Sequence, residues 1–129
     1  MPKEFNILIV DDEDAILGYL SQRITKITSA QRCIIEKVGI TTANTIEKAL
    51  DYIKANSVDL ALVDYVMPGN TLEVVNQLKL NGVQHIVMIS GTPAAGSIAR
   101  EQSIGFLRKP IDNAHLEEIL RTAMTPPTT

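Results

Sequence analysis

The sequence has very little cysteine, and this limits what can hold the fold together. Its single cysteine, Cys33, lies in an apolar neighbourhood with no second thiol to pair with. Disulfide frameworks and thiolate metal sites are therefore excluded as organising features. A reduced, cytoplasmic compartment fits this composition. A chain of 129 residues, of which 45% are hydrophobic, can bury a single core without such cross-links.

The sequence also has few aromatic residues, no excess of positive charge and no long apolar run. Aromatics make up 4% of the chain and tryptophan is absent, which argues against a platform for stacked bases or sugars. The formal net charge is −3, with acids and bases interspersed, so we expect no nucleic-acid binding by this segment. No apolar stretch approaches the length of a signal peptide core or a membrane span. We therefore expect no membrane association.

Short apolar runs alternate with segments of helical periodicity along the chain. The runs predict five strands, at Ile7–Val10, Cys33–Ile40, Val58–Val63, Ile86–Ile89 and Ile104–Leu107. Brief loops between alternating strands and helices favour right-handed crossovers, and hence a parallel sheet covered on both faces. The predicted class is an open, doubly wound α/β fold. We expect one domain over residues 1–124, followed by a tail or linker over residues 125–129.

The sequence indicates the ends of the helices less clearly than it indicates the strands. Asn44 stands three positions before Glu47, as in a capping box, and Asp112 precedes the last predicted helix. Between Pro93 and Gln102 the periodicity is poor, so we expect a short or irregular fourth helix there.

Polar residues follow four of the predicted strands, and their types are chemically coherent. Asp11 and Asp12 come after the first strand, Asp64 after the third, Ser90 after the fourth, and Lys109 after the fifth. In open parallel sheets, ligands bind beyond the carboxyl ends of the strands. Carboxylates gathered there repel one another unless a cation is present, and this oxygen-rich set suits Mg²⁺ better than zinc. An aspartate can also act as a nucleophile toward phosphorus.

Each of these residues has an ordinary interpretation when it is taken alone. Polar residues belong at strand ends, Ser90 could serve as a turn residue before Gly91, and Lys109 could be a surface lysine. Only their joint placement favours a phosphoryl-acceptor site. The two histidines, His85 and His115, have no cysteine partner, and we interpret them as a strand cap and a solvent-facing helix residue.

From Ile7 to about Met124, the sequence resembles the receiver domain of two-component response regulators. The motifs that carry the resemblance occur in order: Ile9-Val10-Asp11-Asp12, Val63-Asp64-Tyr65-Val66-Met67-Pro68-Gly69, Ser90-Gly91 and Phe106-Leu107-Arg108-Lys109-Pro110. The resemblance implies a sheet in the order 2-1-3-4-5 and a cis bond before Pro110. It also implies phosphorylation by a histidine kinase or phosphotransfer protein, and readout by a downstream protein or output domain.

The resemblance further implies a role for each site residue. Asp64 is the expected phosphoacceptor, and Lys109 is expected to contact the phosphoryl group. Asp12, Asp64 and the Val66 carbonyl are expected Mg²⁺ ligands, with Asp11 acting largely through water. Ser90 and Phe106 are the expected switch residues, although Phe106 could equally be a plain core aromatic.

Departures from the family pattern bear on structure and readout. The stretch between Asp12 and Asp64 is longer than usual, which predicts an extended first helix or second strand around Thr25–Gln31. The segment Pro93–Gly105 is short and rich in glycine and alanine, so the usual mode of dimerisation is in doubt.

Two other functions compete with phosphoacceptance. One is a constitutive interaction module with the receiver fold but no phosphorylation, which would not need all five polar residues. The other is an aspartate-nucleophile phosphatase. Such enzymes resemble a different motif, with a second acid two positions after the nucleophile, where this chain has Val66. We expect a phosphoacceptor rather than an enzyme.

Overall fold

The computed structural model describes residues 3–30 and 35–125 as five strands alternating with five helices. The alternation follows the predicted order of apolar runs and amphipathic segments. The strands are β1 (Lys3–Val10), β2 (Ile35–Ala43), β3 (Leu60–Asp64), β4 (His85–Ser90) and β5 (Gly105–Arg108). The helices are α1 (Asp14–Ala30), α2 (Ile46–Ala55), α3 (Thr71–Leu80), α4 (Pro93–Glu101) and α5 (Asn113–Met124).

The five strands form one parallel sheet in the order β2-β1-β3-β4-β5. This confirms the predicted class and strand order. The order reverses between β1 and β3, where Val10 pairs with Val63. Asp64 pairs with Ile89, and Ser90 pairs with Arg108. The carboxyl ends of β1, β3, β4 and β5 therefore meet at one edge of the sheet.

Apolar side chains cover both faces of the sheet, as the continuously apolar strands predict. Helices α1 and α5 pack on one face, where the largest buried residues include Ile9, Leu20, Leu62, Ile89 and Leu116. Helices α2 and α3 pack on the other face, against Leu8, Val10, Val63, Val74 and Leu78. The two cores fix the strand ends relative to one another. They thereby hold the polar edge in place.

Several predicted boundaries are corrected by strand pairing. β1 begins at Lys3 rather than Ile7, because residues before the apolar run still pair with β2. β2 extends to Ala43, while its predicted start at Cys33 lies outside the described residues. β3 begins at Leu60 rather than Val58. Of the two alternatives predicted around Thr25–Gln31, an extended first helix or second strand, the helix occupies this stretch as far as Ala30. Gln31 lies outside the described residues.

The capping prediction at α2 is wrong by one residue. Thr45 is the N-cap, and its hydroxyl accepts a hydrogen bond from the Lys48 N–H at 3.1 Å. Asn44 instead accepts a hydrogen bond from the Lys48 ammonium. At α5 the predicted cap is confirmed, because the Asp112 carboxylate accepts from the Ala114 N–H.

Helix α4 is short, as predicted, but regular. It starts with Pro93, which the first helical turn tolerates, and runs to Glu101. Its small residues Ala95 and Ala99 are buried against Met88. The weak periodicity therefore reflects close packing by small side chains rather than a broken helix. Within the described residues, no helix combines the length and apolarity that crossing a bilayer requires.

Candidate functional site

Two of the carboxylates predicted at the strand ends, those of Asp11 and Asp64, lie next to the ammonium of Lys109. Asp64 is the last residue of β3 and Lys109 directly follows β5. The Nζ atom of Lys109 lies 3.1 Å from Asp11 Oδ2 and 3.6 Å from Asp64 Oδ1. The Lys109–Pro110 peptide bond is cis, as the resemblance implied. One cation thus bridges carboxylates from β1 and β3.

Asp11 is completely buried, and both of its carboxylate oxygens have partners. Oδ1 accepts a hydrogen bond from the Glu13 N–H at 2.9 Å, while Oδ2 accepts one from Lys109. A buried carboxylate is tolerated when it is paired and hydrogen-bonded in this way. Asp11 is therefore fixed in orientation, and it contributes negative charge to the centre of the site.

The Asp64 carboxylate lies under the surface at the same edge, with 2% of the residue exposed. Its Oδ1 accepts a hydrogen bond from the Val66 N–H at 3.3 Å. Burial, assisted by the negative charges of Asp11 and Asp12, raises the pKa of Asp64 to about 6, against the opposing effects of Lys109 and the Val66 amide. Ionising Asp64 therefore costs more free energy in the folded protein than it does in water.

The pKa of Lys109 is also raised, although for a different reason. Its partial burial lowers the pKa, but the hydrogen bond to Asp11 and the charges of Asp64, Asp11 and Glu13 outweigh burial and raise it overall. Lys109 therefore remains a cation throughout the range in which the carboxylates titrate. Its side chain is 20% exposed, so it is mostly enclosed by the surrounding residues.

Three carboxylates lie close enough together to share a cation. One carboxylate oxygen each from Asp11, Asp12 and Glu13 falls within 4.8 Å of the others. Asp12 and Glu13 are exposed, whereas Asp11 is buried. All-oxygen donors next to an aspartate whose pKa is raised by burial and by like charges fit Mg²⁺ chemistry.

Glu13 was not among the sequence-predicted site residues. Its Oε1 lies 3.7 Å from Lys109 Nζ, and its N–H orients Asp11. In the sequence, its position directly after Asp11-Asp12, in the loop that follows β1, was the feature that could have indicated a place in the site.

Ser90 and Phe106 lie on neighbouring strands next to this centre. Ser90 is buried, its hydroxyl accepts from the Thr92 N–H at 3.0 Å, and its carbonyl accepts from the Lys109 N–H at 3.1 Å. Phe106 is half-buried and packs with Met88 and the small residues of α4. A side-chain carbon added at Gly96 would lie 3.7 Å from the Phe106 ring, so α4 passes close to that ring.

A groove of about 530 Å³ opens beside the acidic cluster. Asp12 forms one wall, and the loop from Tyr65 to Leu72 forms the rest. Val66 lies in this loop with 59% of its surface exposed. The groove gives an incoming molecule an approach to the edge where Asp64 lies.

Comparison with known proteins places this geometry in a family. The sequence profile of the response regulator receiver domain matches residues 7–121. No curated protein sequence matches the chain. The chain belongs to the response regulator receiver domain family.

Solved structures with similar folds come from several organisms. The signal receiver domain of an HD domain-containing protein from Pseudomonas fluorescens has a TM-score of 0.77 at 22% identity, covering 96% of this chain and 89% of that one. The signal receiver domain of a DNA-binding response regulator from Colwellia psychrerythraea has a TM-score of 0.77 at 18% identity, covering 92% and 96%. Chemotaxis protein CheY4 of Vibrio cholerae has a TM-score of 0.76 at 19% identity, covering 95% and 100%. At these identities the likeness is one of fold.

Proposed function

We propose that this chain is a phospho-accepting receiver domain of a two-component system, with Asp64 as the phosphoacceptor. The observation that carries the proposal is the position of Lys109 Nζ between the carboxylates of Asp11 and Asp64. The expected donor is a histidine kinase or phosphotransfer protein in the cytoplasm. The expected reader is a downstream protein or an output domain.

In the proposed reaction, a carboxylate oxygen of Asp64 attacks the phosphorus of a phosphohistidine. A P–O bond to Asp64 forms while the P–N bond breaks, and the imidazole leaves with the electron pair of that bond. Lys109 lies 3.6 Å from Asp64 Oδ1 and would interact with the negative oxygens of the transferred group. The chain accepts the group and aids its own modification, so it is not a turnover enzyme.

The proposed metal ligands are Asp12, Asp64 and the Val66 carbonyl, with Asp11 acting through water. Mg²⁺ bound there would neutralise charge on the phosphoryl oxygens during transfer. Glu13 adds a third carboxylate beside Asp11 and Asp12, and so increases the negative potential of the site. Because Lys109 already contacts Asp11 and Asp64, it keeps part of this charge balanced when no metal is bound.

The proposed readout runs through Ser90 and Phe106. A phosphoryl group on Asp64 offers new acceptors, and the Ser90 hydroxyl would exchange its bond from Thr92 for one to that group. Phe106, half-buried against α4, would move inward as Ser90 moves. The surface of α4 and β5 would change as a result.

The alternative is a receiver-like interaction module that is never phosphorylated. Such a module has no need for a buried aspartate whose pKa is raised, next to a fixed lysine and three further carboxylates. Buried groups whose pKa is shifted by burial and by neighbouring charges occur preferentially at functional sites. We therefore favour phosphoacceptance.

Phosphoacceptance can be tested with a small acyl phosphate and MgCl₂, with the products followed by intact mass spectrometry. We expect a single phosphoryl adduct on the wild-type chain, absent from Asp64→Asn and greatly reduced by EDTA. Asp51→Asn is the matched control, because Asp51 is an exposed aspartate on α2, away from the site. No adduct from the acyl phosphate or a histidine kinase, or an adduct that persists in Asp64→Asn, would contradict the proposal.

A further inference from the structure

A second concave site lies at the end of the sheet opposite to Asp64. This groove of about 350 Å³ runs between α5 and the first residues of β4 and β5, and we call it the α5 groove. Val87 and Gly105 lie side by side on its sheet wall. Glu118 and Ile119 line its helix wall. Because β4 runs from His85 to Ser90, the α5 groove and the acidic cluster flank opposite ends of the same strand.

The groove exists because small residues face one another across it. Gly105 leaves the sheet without a side chain at that position, and Ala123 does little to fill the space from α5. Gly105 does not have a positive φ, so its backbone conformation does not require glycine. A side-chain carbon there would lie 3.2 Å from Val87 Cγ2, on the wall of the groove. Since protein interiors are normally close-packed, a space of this size is suited to a ligand.

Several polar groups around the groove are able to donate hydrogen bonds. Both histidines of the chain, His85 and His115, line it although they are far apart in sequence. Lys79 also lines it, and its ammonium donates to the carbonyl and side-chain oxygens of Gln102, which holds it at the rim. Glu118 is the acidic residue of the lining. One ammonium and two imidazoles, all able to donate hydrogen bonds, thus line the groove together with one carboxylate.

These histidines do not form a metal site with their neighbours. Within residues 3–30 and 35–125, the group of three close metal-ligating side chains is the one at Asp11, Asp12 and Glu13. The lining of the α5 groove combines apolar walls with hydrogen-bond donors. This combination suits an organic molecule with one charged end.

We propose that the α5 groove binds a small organic anion that carries an apolar ring. The ring lies between Val87 and Ile119, and the carboxylate or sulfonate is directed toward the histidine and lysine groups of the rim. This site is separate from the phosphoacceptor site and does not depend on phosphorylation of Asp64.

The probe is 1-anilinonaphthalene-8-sulfonate, which joins apolar rings to one anionic group. We expect saturable binding by fluorescence, with amide shifts in a ¹H–¹⁵N spectrum centred on Gly105 and Ile119. N-phenyl-1-naphthylamine has the same rings without the sulfonate, and we expect it to bind on the order of tenfold more weakly, as expected for loss of a charge-assisted hydrogen bond. Equal affinity for the two compounds would overturn the anionic preference.

Surface variants of α5 locate the binding site without disturbing the core. His115 and Glu118 are both exposed. His115→Ala should weaken binding several-fold, and Glu118→Gln should strengthen it, because a repelling carboxylate is removed. Glu117→Gln is the matched control, since Glu117 is a neighbouring exposed acid that does not line the groove.

A blocking variant completes the test. Thr122 is exposed and lines the groove, so Thr122→Trp should fill it and abolish binding while the circular dichroism spectrum stays unchanged. Binding that survives Thr122→Trp in a folded protein, or a wild-type chain that does not bind the probe at millimolar concentration, would overturn the proposal.

Discussion

At Asp64, opposing interactions decide the charge of a single carboxyl group. Burial and the negative charges of Asp11 and Asp12 oppose ionisation, while Lys109 and the Val66 amide favour it. The first set prevails and raises the pKa from 3.8 to about 6. The folded protein therefore binds the Asp64 proton more tightly than the unfolded chain does.

The sign of the resulting pH dependence follows from linkage. Between pH 4 and 6 the folded state binds more protons than the unfolded state, so this group's contribution to stability is present at low pH and lost as pH rises. Asp64→Asn carries no such proton. In EDTA, we expect the variant to gain stability relative to wild type across this range, by on the order of 2 kcal/mol. Urea unfolding of both proteins at several pH values measures this difference.

The control for this prediction is Asp51→Asn, because Asp51 is exposed on α2, away from the acidic edge. It tests whether the pH-dependent gain belongs to Asp64 rather than to the removal of any aspartate. A difference between wild type and Asp64→Asn that does not change from pH 4 to pH 7 would show that Asp64 is not the proton-binding group.

The residues of the candidate site were easier to predict from sequence than the contacts they make. Asp11, Asp12, Asp64, Ser90 and Lys109 could be found because each follows a strand that is visible as an apolar run. Glu13 could not, because an exposed acid at the start of a helix is ordinary in sequence and gains meaning only from its 3.7 Å distance to Lys109. The burial of Asp64 also required the tertiary structure.

At the scale of elements, the start of α2 shows how adjacent capping candidates are distinguished. Thr45 and Asn44 are both good N-cap residues, but only Thr45 has its oxygen next to the N–H of the third helical residue. We expect Thr45→Ala to lower the free energy of unfolding by about 1 kcal/mol. Asn44→Ala should have a smaller effect, because it removes exposed contacts to Lys48 and Asp14. Denaturant unfolding of both variants checks this, and the reverse ranking would contradict the assignment.

Strand centres were predictable from sequence, whereas the start of β1 was not. Lys3, Glu4 and Asn6 are polar, and residues 3–6 belong to β1 because they pair with β2. For helix α4, the whole element rather than its start was difficult to predict from sequence. Its alanines and Gly96 weaken the apolar periodicity, yet these small residues allow the close approach of α4 to Met88 and Phe106.

At the scale of the whole molecule, the fold does not identify the output. Structures with nearly equal TM-scores come from a DNA-binding response regulator, an HD domain-containing protein and a chemotaxis protein. The elements that hold the acidic edge are common to this architecture, whereas a partner is recognised by surface residues. The acidic edge is therefore the feature whose behaviour can be tested on the isolated chain.

Magnesium binding should stabilise the entire domain, because the proposed ligands come from separated parts of the chain and meet only in the folded state. Above the dissociation constant, each tenfold increase in MgCl₂ should add about 1.4 kcal/mol to the free energy of unfolding. NaCl at matched ionic strength controls for screening of the carboxylates. Asp12→Asn should flatten the response without unfolding the protein, since Asp12 is exposed, and Asp51→Asn should retain it.

Magnesium should also reduce the effect of pH on stability that Asp64 produces. A cation favours the ionised carboxylate, so saturating MgCl₂ should lower the pKa of Asp64 and reduce the stability advantage of Asp64→Asn near pH 7. Repeating the urea series with MgCl₂ measures this coupling directly. An advantage of Asp64→Asn that is the same in MgCl₂ and in EDTA would place the metal away from Asp64, and the proposed ligand set would then be wrong even if the domain binds magnesium.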